Sequence, residues 1–151
     1  MRGRIVLIGL LGVLLVPGAE IGGRVEYVGG TVGSMEQRAS GRLVVSDEVT
    51  LLLRLDKQEL RVPFEKVNLL EYGQKASRRI GMAVLVSPMF LLTKKRAHFL
   101  TVGYEDPAGR QQAMVFRVEK DDIRSVLVAL EARTGLKVQY QDEEARKAGK
   151  G

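Results

Sequence analysis

Apolar residues change their rhythm along the chain, and each rhythm predicts a different element. Ile5 to Val16 is an unbroken apolar run of 12 residues. From Gly22 to Val118 short runs alternate apolar and polar positions, the period of two that half-buried strands need. Ile123, Val126, Leu127 and Leu130 then fall at the i, i+3, i+4, i+7 spacing of an amphipathic helix. In the middle, Ile80 to Thr93 (IGMAVLVSPMFLLT) is apolar with neither period.

Seven strands are predicted, five before this block and two after it. Arg24 to Val32 is interrupted by Gly29-Gly30, a pair that marks a bulge or sharp bend. Arg42 to Ser46 and Val49 to Leu55 join at Asp47-Glu48, and Val49, Leu51, Leu53 and Leu55 share one face. Asp56-Lys57-Gln58 turns into Glu59 to Val62, which Pro63 ends or confines to an edge. Val67 to Tyr72 stops at Gly73. Ala97 to Tyr104 and Gln111 to Val118 make a hairpin whose Glu105-Asp106-Pro107-Ala108-Gly109 linker suits a type I turn followed by a left-handed residue. Asp121 or Asp122 is expected to cap the helix and Gly135 to end it. Leu136, Val138 and Tyr140 allow a last short strand, and residues 141–151 read as a flexible charged tail without an apolar face.

Length and charge narrow the picture. The 151 residues suffice for one domain with a core, and 28% charged residues argue against wholesale disorder. Arg2 and Arg4, the Ile5–Val16 run and then Gly18-Ala19 have the layout of a secretory signal peptide over residues 1–19. The competing reading is an uncleaved anchor, although 12 apolar residues are too few to span a bilayer unaided. Export to the periplasm or the extracellular space follows, with residues 20–140 as the domain. Losing Arg2 and Arg4 takes the basic count from 24 to 22 against 18 acidic, an excess too small to imply nucleic acid or membrane by itself. No cysteine is present, so disulfides, thiolate nucleophiles and zinc–thiolate sites are excluded.

Candidate chemistry is thin. His98 is the single histidine and sits in strand alternation, which favours a structural role over catalysis. Asp121-Asp122 is a helix start before it is an acid–base pair, and no Gly-x-Ser-x-Gly elbow occurs. No enzyme activity, cofactor or metal is expected. Nucleic acid is set aside because the basic residues lack interleaved aromatics.

Strand order followed by one amphipathic helix resembles the pleckstrin-homology-like superfold. There, a strongly bent, partly open seven-stranded barrel is capped by its C-terminal helix. Gly41 to Gly73 is similar to the GRAM-type version, with Val62-Pro63-Phe64, Glu65-Lys66 and then Val67 to Leu70. The chain also resembles uncharacterised exported bacterial proteins that share YVGGT, LEYGQK, the basic-flanked apolar block and LEARTG. The resemblance implies a mainly β, α+β fold and no chemistry. Phosphoinositide binding is not carried over, because the basic motif of the first strands is reduced here to Arg24, Arg38 and Arg42 among Glu26 and Glu36.

One region concentrates both charge and hydrophobicity. Between Tyr72 and Tyr104 no acidic residue occurs, and Arg78, Arg79, Lys94, Lys95 and Arg96 flank the apolar block. As a helix its 14 residues would rise about 21 Å, short of a ~30 Å hydrocarbon core, and Pro88 would break it. Three readings stay open for this insertion at residues 78–96. It packs within the molecule, it enters an anionic membrane interface, or it self-associates into a homo-oligomer. Arg78, Arg79, Met89, Phe90, Leu91, Lys94, Lys95 and Arg96 are the candidate membrane or partner surface. The function expected is non-enzymatic binding or scaffolding through this surface. The alternative is a protein-interaction module that uses barrel edge strands, with residues 80–93 buried as core.

Overall fold

Where the period of two is strongest, the chain pairs into one antiparallel meander after another. A computed structural model describes residues 20–74, 85–86 and 97–150. Its strands are β1 (Gly22–Gly30), β2 (Ser40–Val44), β3 (Thr50–Leu55), β4 (Gln58–Pro63), β5 (Val67–Gly73), β6 (Leu85–Val86), β7 (His98–Glu105), β8 (Gln111–Val118) and β9 (Gln139–Tyr140). Two α-helices follow the long strands, α1 (Ile123–Thr134) and α2 (Glu143–Lys150). The sheet order is β4-β3-β2-β1-β8-β7-β5-β9, with β6 paired separately to β1. The result is a mainly β, α+β fold built on one open sheet, in which the seven long strands are the seven predicted.

Side chains from both limbs of that sheet meet in a single core. Leu43, Leu51, Leu53 and Val62 come from β2–β4, and Leu70, Tyr72, Leu100, Val102 and Phe116 from β5, β7 and β8. Ile123, Val126, Leu127 and Leu130 of α1 enter the same cluster, which is the face that the helical spacing predicts. A second, smaller cluster of Val28, Phe99 and Val115 lies apart from it. Each of these neighbours a main-core residue in sequence (Tyr27, Leu100, Phe116), so the pleat sends it to the opposite, outer face of the sheet.

Local signals account for most turns. The register between β1 and β8 shifts between Tyr27 and Gly29, which is the bulge expected from the glycine pair. Pro63 pairs with Thr50 at the end of β4, an edge strand, where its missing N–H leaves no ladder bond unmade. In the β7–β8 turn Gly109 is left-handed at φ 75°. The Asp106 carboxylate there accepts the Arg110 N–H, Gln112 Nε2, Arg110 Nε and the Ala108 N–H, which together hold its pKa down to about 2. Gly135, at φ 73°, ends α1 as expected, with its N–H on the Glu131 carbonyl.

Three expectations need correction. Val49 does not share the buried face of β3: it is 67% exposed and precedes the strand. Asp47 Oδ1 accepts the N–H groups of both Val49 and Thr50, so the turn extends one residue further than alternation implies. Asp122 occupies the N-cap position of α1 but does not cap it. Its Oδ2 instead accepts the Arg24 N–H at 2.8 Å, fastening the helix start to β1. Lastly, the tail contains a helix. Asp142 caps α2 by accepting the Ala145 N–H at 2.7 Å, and the buried positions are Ala145 and Gly149, residues too small to register as an apolar face.

Candidate functional site

Arg78, Arg79, Met89, Phe90, Leu91, Lys94, Lys95 and Arg96 all lie outside the described residues, as does the signal segment at 1–19. What is described is how the central block joins the sheet. The Ala97 N–H meets the Gln74 carbonyl at 3.5 Å, so the described residues that flank the block sit side by side just beyond the paired ends of β5 and β7. Leu85–Val86 pairs antiparallel with Gly30 and Gly29 of β1, along the stretch that β2 leaves free by ending at Glu26.

The stem of the block opens onto a polar cleft around His98. Tyr72 pairs with Leu100 across β5 and β7, which places His98 two positions along on the same face, within diagonal reach of an aromatic ring. The two rings lie nearly parallel, 16° apart with centroids at 6.0 Å, and Tyr72 Oη is 2.6 Å from His98 Nδ1. Burial, then the nearby Tyr140, push the Tyr72 phenol up to about 12, so it stays protonated. Burial first, then the charges of Lys120 and Arg124, lower the pKa of His98. That lowering favours the uncharged imidazole, whose Nδ1 shares a hydrogen bond with the Tyr72 hydroxyl.

Tyr72 is held from behind. Tyr140 packs edge-on against it at 5.9 Å, and Lys150 Nζ lies 5.5 Å from the Tyr140 ring. α2 presses on this stack through Gly149, where an added Cβ would meet Tyr140 Cε1 at 2.6 Å. Gln74, His98, Lys120, Asp121 and Arg124, with Ile123 and Ala148, line the cleft, which is open to solvent and has a volume of about 590 Å³. His98 stands out in the sequence as the single histidine, whereas nothing there marks Tyr72, Lys120 and Arg124 as its neighbours. They come together only through strand register and the turn into α1, and none of them belongs to a sequence motif.

Two other clefts are less suited to a ligand. The one lined by Arg24, Glu26 and Arg117 is internally neutralised, since Glu26 pairs with Arg117 and lies 4.0 Å from Arg38. The one between residues 36–39 and 55–58 mixes Glu36 and Asp56 with Arg38 and Lys57, and Gln58 Nε2 crosses to the Ser34 carbonyl at 2.7 Å. Arg42 lies 3.9 Å from Glu20. Thus Arg38 and Arg42 of the first strands already face carboxylates. Among the described residues no helix is long and apolar enough to cross a membrane. No protein-family model, curated protein or solved structure matches the chain.

Proposed function

We propose that the chain is an exported, non-enzymatic binding or scaffolding domain of pleckstrin-homology-like type. It meets an anionic membrane surface or a protein partner through residues 78–96. Support for the fold type comes from the run β4-β3-β2-β1-β8-β7-β5 and from the apolar face of α1 entering the shared core. The observation that carries the functional reading is the anchoring of the block. The described residues that flank it are held together at Gln74 and Ala97, and its centre is fixed to β1 at Leu85–Val86. A basic-flanked apolar segment whose flanking residues and centre are both tied to the sheet supports an interfacial contact.

Flotation of the protein on anionic vesicles tests this. Wild type is expected to float at low salt and to be released at high salt. The Lys94→Gln/Lys95→Gln/Arg96→Gln variant is expected to float markedly less. Equal flotation of the two proteins would sink the membrane version.

A second reading has its own observation. Val28, Phe99 and Val115 form an apolar stripe on the outer face, and neither helix contributes to it. Residues 80–93 would then bury against this face, leaving sheet edges to take a partner. The chain contains no tryptophan, so Phe90→Trp supplies a single reporter. Blue-shifted emission without vesicles favours burial; a blue shift that appears only with vesicles favours the interface.

A further inference from the structure

Most arginines of the described surface face a carboxylate. Arg54 pairs with Glu20, Arg61 with Glu59, Arg110 with Asp106, Arg117 with Glu26 and Arg146 with Glu143. The His98 cleft departs from this pattern. Among the described residues Lys120 makes no ion pair, and the Arg124 guanidinium reaches only the Ala148 carbonyl, Nε to oxygen at 3.4 Å. Asp122 is turned away from the cleft to bind the Arg24 N–H, which leaves Asp121 as the one carboxylate of the lining. Two cations against one anion give the cleft a positive excess. The charges that act on His98 are those of Lys120 and Arg124, so the excess is felt at the imidazole itself.

The hydrogen-bonding inventory points the same way. Tyr72 occupies Nδ1 of His98, which leaves Nε2 as the ring nitrogen for a ligand, a donor when it carries the proton. Lys120 brings an ammonium, Arg124 a guanidinium whose Nη groups make no hydrogen bond among the described residues, and Gln74 an amide. Four polar side chains, from residue 74, β7, the turn before α1 and α1, line one open concavity. Such a set suits a tetrahedral oxyanion, which offers acceptors in several directions and gains from charge-assisted bonds.

We propose that the His98 cleft is a binding site for a phosphate group, either inorganic phosphate or a phosphate monoester, held by Lys120, Arg124, His98 and Gln74. The site stands in the folded domain and does not depend on the membrane reading. A lipid headgroup and a soluble phosphate share this chemistry, and the experiment below separates them.

His98 is the single histidine, so its imidazole resonances in an NMR spectrum are unambiguous. Inorganic phosphate is titrated into the full chain at constant ionic strength, with chloride as the control anion. A saturable shift of the His98 signals is expected with phosphate and not with chloride. Lys120→Ala and Arg124→Gln are each expected to weaken binding about tenfold, and the double variant to abolish saturation. Both side chains are exposed, so the variants should keep the wild-type melting temperature, which is checked alongside. If one does not, the other single variant carries the test. Flotation on phosphatidylcholine vesicles with and without phosphatidic acid then identifies the source. Recruitment by phosphatidic acid that Lys120→Ala weakens assigns the site to a headgroup; saturable phosphate binding without such recruitment assigns it to a soluble ligand. A non-saturable shift with phosphate, or affinity unchanged in both variants, overturns the proposal.

Discussion

The two α-helices α1 and α2 of the described residues are held to the same core by opposite means. α1 inserts Ile123, Val126, Leu127 and Leu130, each no more than 2% exposed, and its adhesion is that of buried volume. α2 buries Ala145 and Gly149, and its adhesion is close approach: its backbone comes up against Tyr140 and Tyr72 because nothing stands in the way. Volume packing writes a periodic apolar signal into a sequence. Close packing writes small residues and a cap, which an apolar-periodicity reading passes over. The difference teaches that a charged segment can still be part of the structure when its inward face is alanine and glycine.

The contrast is broken most severely at α1. Leu130→Ala is expected to cost about 2–5 kcal/mol of global stability in denaturant unfolding, because the cavity would lie at the centre of the main core. A loss under about 1 kcal/mol would mean that the helix is peripheral. At α2, Gly149→Leu puts a side chain where Tyr140 and Tyr72 stand, and overpacking of this kind costs about 1–3 kcal/mol. Here the loss should be local. Amide exchange should rise in residues 143–150 while the β7–β8 hairpin keeps its protection, whereas Leu130→Ala should raise exchange throughout. Asp142→Ala removes the cap on the Ala145 N–H and is expected to cost about 1 kcal/mol, again confined to α2.

The smallest effect is one of pH. Because the folded protein depresses the pKa of His98, the unfolded chain binds the proton more readily. The contribution of neutral His98 is complete above the ordinary value of 6.5 and is lost as pH falls from there toward the folded pKa. Unfolding midpoints measured either side of pH 6.5 should show a decline on the acid side that His98→Gln removes. Ala148 of α2 lines the cleft, so Gly149→Leu should also move the His98 titration up toward 6.5. A titration unmoved by that variant would show that α2 does not contribute to the burial of His98.

Much of the sheet was legible because its information is local. Leu51, Leu53 and Leu55 announce β3 by alternation alone, Gly109 marks the left-handed turn residue, and Gly135 marks the end of α1. Legibility failed where a group had two uses. Asp122 reads as a cap, yet its carboxylate serves the Arg24 N–H on β1, a partner 98 positions away. The His98 cleft was legible only as a lone histidine. Tyr72 and Lys120 reach it through register and a turn, which no local window contains. Arg124 was masked by its place on a helix, where a cation reads as solvent-facing.

The central position of β1 has a consequence for how the chain folds. Nearly the first strand to exist, it completes its pairing only when β8 arrives, with Val25 opposite Val118. Two hairpin arms, β2–β4 and β7–β8, can form early from near neighbours, but each then presents an unfilled edge. The step that unites them closes a loop spanning most of the protein, and proteins rich in such distant pairings fold in about milliseconds to seconds rather than microseconds. A chain interrupted before Gln111 would therefore hold β1 with one side unsatisfied, a state open to strand exchange with other copies until its own last strand is in place.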